Sequence, residues 1–360
     1  MKQLALLIAC AVLMTACAVK QNPLVNDLYF IYKSILENHP GVYNNEDPNF
    51  CENLENSYET AKSAIKESNV NSSSKIIISD FAKSFNDTHL WVHWLDNTPQ
   101  KQNAIISKFS ISEPSNEVAW ITLPAFDLKT EQEKDFGGLV KQLLGLQTKK
   151  YIVFDLRGNQ GGNSDYGSQI VNALFGKEYA HKKKCLHNKK VFVDWRASQG
   201  NLNHISSLLT RYPTNQWLQG VKEGLKESLE RGDSFYREYS YETCGPTKNI
   251  TSESEFGFKV IVITDSFNVS AALDFIDELK IMTKKVILIG QKTKADRVYM
   301  EVRSLPLPSG SGTFSFPIKV YRNRPRLDNE PYIPNIEFND IGNTLALKSL
   351  ILQKIKRGEL

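Results

Sequence analysis

Ser270 follows an apolar run, Val260–Thr264, and a short loop, and it opens a second apolar stretch with Ala271-Ala272. A serine at a helix start has two uses. Its hydroxyl can cap a free amide, or it can attack a carbonyl carbon while the helix end stabilises the developing oxyanion. A second segment, YIVFDLRGNQGG at Tyr151–Gly162, is a strand followed by a glycine turn. Such glycines let backbone amides face a ligand with no side chain in the way, although glycine also serves ordinary turns. A third, Asp87-Thr88-His89-Leu90, puts a histidine in a short polar break, suited to moving protons near neutral pH. His39 and His93 offer the same chemistry. His39, next to Pro40 after a helix, reads as a capping or packing residue. Together these segments supply a nucleophile, a base and an oxyanion hole. The phosphate-loop and dinucleotide patterns GxxxxGK[ST] and GxGxxG are absent, as are the metal spacings CxxC and HExxH. No metal, nucleotide or flavin is implied.

These residues need rigid elements behind them. Residues 18–95 read as a helical region: Leu24, Leu28, Ile31, Ile35 and Leu36 recur at helical spacing, and Asn38-His39-Pro40-Gly41 stops that helix. Further helices are expected around Asn49–Ser68 and Ser73–Phe85. Residues 96–116 are polar and turn-rich. Glu117–Leu123 reads as a strand. Glu131–Leu144 reads as a helix with Phe136, Leu139, Val140, Leu143 and Leu144 inward. Lys150–Leu156 is a buried-type strand and Ser164–Phe175 a helix. Residues 177–256 break this rhythm and read as an insertion with one helix near Asn215–Arg231. Lys259–Thr264, Ser270–Met282 and Lys285–Ile289 then form strand, helix and strand. Arg297–Arg303, Thr313–Val320 and a strand near Ile336 make a β-rich end, and 341–360 is a helical tail. The order predicts an α/β core, α+β in part, within 96–340. In a parallel sheet, the strand ends at Leu156 and Thr264 would face one crevice.

The 360 residues allow at least one sizeable core. A net charge of +4, dispersed without a basic stripe interleaved with aromatics, gives nucleic-acid binding little support. Residues 1–17 read as a signal peptide: Lys2 leads an apolar run too short to span a bilayer as a mature helix. Met14-Thr15-Ala16-Cys17 resembles a bacterial lipobox, with Cys17 the lipid-bearing residue and a plain secretory signal the alternative. Ala18 after the cysteine favours the outer membrane, with the protein facing the periplasm. In an oxidising compartment Cys51, Cys185 and Cys244 would form one disulfide and leave one thiol. Cys185 with Cys244 is favoured because both lie in one segment between core elements.

The three chemical segments together resemble the serine peptidases related to C-terminal processing proteases and the tricorn protease core. Tyr151–Gly162 is similar to that family's DLRGNxGG segment, Val260–Phe275 to its nucleophile segment, and Lys285–Thr293 to its IGxxT turn. Leu305–Gly310 and Asn329–Ile336 are similar to its C-terminal strand region. The resemblance implies a ClpP/crotonase-like β/α core with Ser270 as nucleophile. Where one branch has a lysine after the GxxT turn, this chain has Asp296, and Lys292 and Lys294 are out of register. The tricorn-like branch implies His89 as base, Thr88 and Glu330 as its orienters, and amides of Gly161 or Gly162 and of Ala271 as the oxyanion hole. Leu273 stands where the family often has glutamate. Only about twenty residues separate Trp94 from Glu117, too few for a PDZ domain of typical size. The resemblance implies cleavage of peptides or proteins. Binding of peptides or envelope components without turnover, and hydrolysis of small esters or amides, are the alternatives. Oligomeric state is not legible.

Overall fold

A computed structural model describes residues 23–68, 71–95, 108–239, 244 and 256–360. Cys17 and the lipobox lie outside the described residues. The described residues start with helices α1 (Pro23–Asn38), α2 (Phe50–Glu67) and α3 (Asn71–Lys83). β1 (Trp91–Trp94), β2 (Ser110–Ser115), β3 (Val118–Thr122), α4 (Thr130–Leu143), β4 (Tyr151–Asp155) and α5 (Ser164–Phe175) follow. Next come α6 (Lys177–His187), β5 (Phe192–Arg196), α7 (Gln199–Arg211), α8 (Gln216–Arg231) and β6 (Phe235–Tyr239). β7 (Lys259–Thr264), α9 (Ala271–Met282), β8 (Val286–Gly290), β9 (Tyr299–Pro306), β10 (Gly312–Arg322), β11 (Ile336–Glu337) and α10 (Thr344–Lys356) complete it.

Two sheets organise these elements. The first has the order β11-β8-β7-β4-β3-β2 and is parallel except for the edge strand β2. Its inner strands are continuous apolar runs because helices cover both faces. Phe136 of α4, Ile170 of α5 and Phe275 of α9 pack on one face, and Leu347 and Ile351 of α10 on the other. The second sheet is built on the long strand β10. β9 pairs along one side of it, while β1 and β5 share the other, and β6 joins β5. The N-terminal helices and α7 and α8 pack with this sheet in one core. The site is positioned by this arrangement: β1 begins two residues after His89, and its pairing with β10 fixes where that histidine stands.

Several elements differ from the sequence reading. β2 lies in the stretch read as turn-rich. SISEPS is polar and contains Pro114, which an exposed edge strand tolerates. Among its described residues the region 177–256 holds three helices and two strands rather than one helix, and β5 pairs directly with β10. The helix α6 carries too many polar residues to show a clean apolar stripe, whereas α7 has one in Leu202, Ile205, Leu208 and Leu209 that the sequence reading passed over. Leu144 and Leu36 face solvent, because the chain passes from α4 into a 3₁₀ turn at Leu144 and α1 turns Leu36 away from its buried stripe. Cys185 is bonded to Cys244, with Cα atoms 5.5 Å apart, and Cys51 is an exposed free thiol.

The C-terminal helix is tied to the end of β4 by a buried ion pair. Arg157, 1% exposed, meets Asp155 through two parallel bonds of 2.8 and 2.7 Å, and its third nitrogen donates to the Ile341 carbonyl at 2.7 Å. Removing one partner strands a buried charge, which typically costs about 3–5 kcal/mol. Arg157→Leu is therefore expected to lower urea stability by about that amount, and Asp155→Leu added to it to recover part of the loss. Equal urea midpoints for Arg157→Leu and wild type would show that the pair does not anchor the helix.

Candidate active site

The loops that leave the carboxyl ends of β3, β4 and β7 meet at one place, as expected for adjacent parallel strands. Two asparagines and an aspartate hold them. Asn268 donates to the carbonyls of Leu156 (2.6 Å) and Asn159 (3.0 Å), and its own oxygen accepts from the Asp265 amide at 2.8 Å. Asn159 donates to the Leu123 carbonyl at 3.0 Å. Asp265 accepts from the amides of Gly158 (2.6 Å) and Phe267 (3.0 Å). Burial pushes the Asp265 carboxyl above its ordinary value, against the pull of those amides. None of these three roles was read from the sequence. For Asp265 and Asn159 the local signal is an Asp or Asn two residues before a turn amide, whereas Asn268 accepts from an amide three residues earlier.

Ser270 sits on this platform in a strained conformation. Its φ is 58° and ψ −128°, a region that a residue with a Cβ rarely occupies. It stands at the N-cap of α9, yet its side chain caps nothing. The hydroxyl is thus free of the bland use open to a serine at this position. Gly161, at φ 90°, packs directly against it. A Cβ at Gly161 would lie 2.7 Å from the Val269 carbonyl oxygen and 2.8 Å from Ser270 Cβ. Gly162, at φ 131°, passes closer still to the backbone of Phe126, where a Cβ would lie 2.1 Å from the carbonyl oxygen. The Gly161 amide donates to Asn159 Oδ1 at 2.9 Å, whereas Gly162 and Ala271 keep their amides clear of such bonds. Of the amides expected to hold an oxyanion, those two are available.

A cavity of about 1670 Å³ opens in front of Ser270. Its other walls come from β9 and β10, through Glu301 and Tyr321, and from Trp217 of α8. His89 faces the same cavity from the segment before β1. Its amide donates to Asp87 Oδ1 at 2.8 Å, and Nδ1 stands 3.7 Å from that oxygen, a charge contact longer than a hydrogen bond. Neither ring nitrogen is hydrogen-bonded. Burial works to lower the His89 pKa, but Asp87, then Asp296 and Asp274, outweigh it and hold the group above its ordinary 6.5.

Those last two acids belong to a cluster around Arg326, which donates to Asp277 (3.0 Å), Asp274 (3.3 Å) and Asp296. Arg324 adds a 2.8 Å bond to Asp296. The cluster welds the loop after β10 to the first two turns of α9. Asp274 also accepts from Ser164 at 2.8 Å. Its pKa is pushed up to about 6 by burial first and Asp296 second. About a quarter of its side chain remains open, so the burial is that of a cleft wall and not of a dry core.

The remaining residues expected at the site divide. Thr88 lies exposed on the cavity wall next to His89. Glu330 lies apart from the cavity wall: its carboxylate accepts from the Leu327 amide at 3.3 Å, and its charge acts on Lys280. Lys294 lines the cavity, and its amide donates to the Asn268 carbonyl at 3.0 Å. His39 caps the turn at Pro40–Tyr43 by accepting from the Gly41 amide at 2.9 Å. Among the described residues no group of three His, Cys, Asp or Glu is placed to hold a metal ion.

Mature CPAF has a similar structure, at a TM-score of 0.58 and 11% identity over 92% of this chain and 96% of that one. CPAF complexed with lactacystin is similar at 0.56 and 12%, over 92% and 97%. The tricorn protease matches at 0.50 and 9%, over 93% of this chain and 36% of its own. At these identities the likeness is one of fold. No curated protein sequence matches significantly. A sequence profile of Peptidase family S41 matches residues 117–337, more than half of the chain and the whole of the first sheet from β3 to β11. The chain belongs to Peptidase family S41.

Proposed function

We propose that this protein cleaves peptide bonds through an acyl-enzyme on Ser270, with His89 as general base. The observation that carries the proposal is Ser270 itself: a strained serine at a helix N-terminus, free of capping duty, opposite a histidine across a peptide-sized cavity. In the first step Ser270 Oγ bonds to the scissile carbonyl carbon and its proton passes to His89. The carbonyl oxygen becomes an oxyanion, within reach of the Gly162 and Ala271 amides. His89 then protonates the leaving amine, and water, deprotonated by the same imidazole, clears the ester. Neither imidazole nitrogen of His89 is hydrogen-bonded, so the Ser270–His89 contact that this mechanism needs is unmade in the structure, and such catalytic bonds can tighten only in the substrate complex. Binding without turnover, the alternative, draws its support from that unmade contact. Thr88 and Glu330 have no contact with the imidazole that would support an orienting role.

We further propose that the protein is an exported lipoprotein, anchored through Cys17 to the outer membrane and facing the periplasm. The pattern of residues 1–17 supports this, as does the Cys185–Cys244 disulfide, a bond typical of oxidising compartments.

Hydrolysis of an unstructured protein substrate, followed by peptide mass spectrometry, tests the activity. Ser270→Ala and His89→Ala are each expected to reduce turnover by about 10³–10⁶-fold while remaining folded. Cleavage that survives Ser270→Ala would refute the mechanism. His89 must be unprotonated to act, and its pKa is held up, so kcat/KM should rise with pH through a midpoint above 6.5. A profile flat between pH 5 and 8 contradicts His89 as the base. Gly161→Ala should displace the Val269–Ser270 segment and lower kcat by about 10²–10³-fold, the scale of losing an oxyanion donor. Unchanged kcat in a folded Gly161→Ala variant would show that this contact does not hold the nucleophile.

A further inference from the structure

Asp87 is a buried carboxylate between two imidazoles. Its side chain is 1% exposed. Oδ1 faces His89 Nδ1 at 3.7 Å, and Oδ2 faces His39 Nε2 at 4.0 Å. Asp87 Oδ2, His39 Nε2 and both nitrogens of His89 are buried with no hydrogen-bond partner. Buried polar atoms left unpaired are costly and uncommon. Here they sit next to one another, each gap about 1 Å longer than a bond.

His39 is the fixed end of this line. Its ring stacks on Phe50 with centroids 4.6 Å apart and meets Tyr299 edge-on at 4.8 Å. Nδ1 accepts from the Gly41 amide, so in the neutral ring the proton is on Nε2, the atom that faces Asp87. Burial, and then Arg297, hold its pKa well below the ordinary value, which keeps the ring neutral. The Asx turn that Asp87 makes with the His89 amide uses only Oδ1, and an asparagine would make it equally well. It explains neither the charge nor the second histidine.

We infer that His39 and Asp87 are positioning residues for His89: His39 Nε2–H donates to Asp87 Oδ2, and Asp87 Oδ1 accepts from His89 Nδ1–H as the cleft closes on substrate. This sets the His89 tautomer with its Nε2 lone pair free for Ser270. No proton passes beyond His89. The inference rests on His89 being the base, and it gives the N-terminal helical region a direct part in the site, because His39 follows α1. It puts the orienting carboxylate two residues before the histidine, in place of Glu330.

The other ionisable groups acting on His89 are Asp296, on the loop after β8, and Asp274 of α9, while Arg297 acts on His39. Neither acid is changed in the test. Full-length protein, with His89 resonances identified through a His89→Gln variant, is titrated by NMR alongside kcat/KM measurements. Asp87→Asn should lower the His89 midpoint by about one unit or more and reduce kcat by about 10²–10⁴-fold. His39→Phe keeps the ring stack and loses the donor. It should shift the midpoint in the same direction but less, and have no added effect in the Asp87→Asn background. His39→Gln, which retains a donor, should recover part of the shift, and it carries the test if His39→Phe does not fold. An unmoved midpoint in folded Asp87→Asn, or additive effects of the two sites, would overturn the inference. The NMR titration reads this coupling without turnover. Shifts as described with no hydrolysis by wild type would therefore sink the peptidase reading alone.

Discussion

The site depends on one close contact, between a residue that has no side chain and one held in a conformation that disfavours having one. Ser270 at φ 58° carries strain of about 1–3 kcal/mol, which persists only when the surroundings over-determine it. Gly161 is the surface against which that geometry is set, since any Cβ there would collide with the Val269 carbonyl and Ser270. The strain is met by Asn268, Asn159 and Asp265, whose hydrogen bonds tie the three loops into one rigid piece. The Arg326 cluster supports the same helix from its other side. Ser270, the proposed nucleophile, is therefore held in place by backbone and buried polar groups.

The proposed base, His89, is positioned by a different route. His89 belongs to the segment between the N-terminal helices and β1, and it is located by the second sheet through β10. Ser270 and the Gly162 and Ala271 amides come from the loops of the first sheet. The site thus spans two packing units, and the cavity between them is also walled by β9, β10 and α8. From the region 177–256, Asn215 and Trp217 face the same cavity.

Much of the first sheet was legible because its strands are continuous apolar runs and its helices start and stop at strong signals. Val260–Thr264 and Ser164–Phe175 stand where their sequences put them. Ser270, His89 and the glycine turn were visible as residue types in suggestive places, and the structure brings them to one cavity. What was not legible depended on partners far away in the chain. Asp296 gains its meaning from Arg324 and Arg326, some thirty residues later, and Arg157 from the backbone of Ile341. Asp87 looks like an ordinary turn former until His39 is found behind it. β2 was missed because an exposed edge strand need not be apolar, and α6 because a polar helix lacks a stripe.

The most direct test of an activated Ser270 is covalent labelling with a fluorophosphonate, with the adduct located by peptide mass spectrometry. The account predicts a single adduct on Ser270 that is lost in Ser270→Ala and formed far more slowly in His89→Ala. No adduct on folded wild-type protein, or an adduct on another residue, would contradict it.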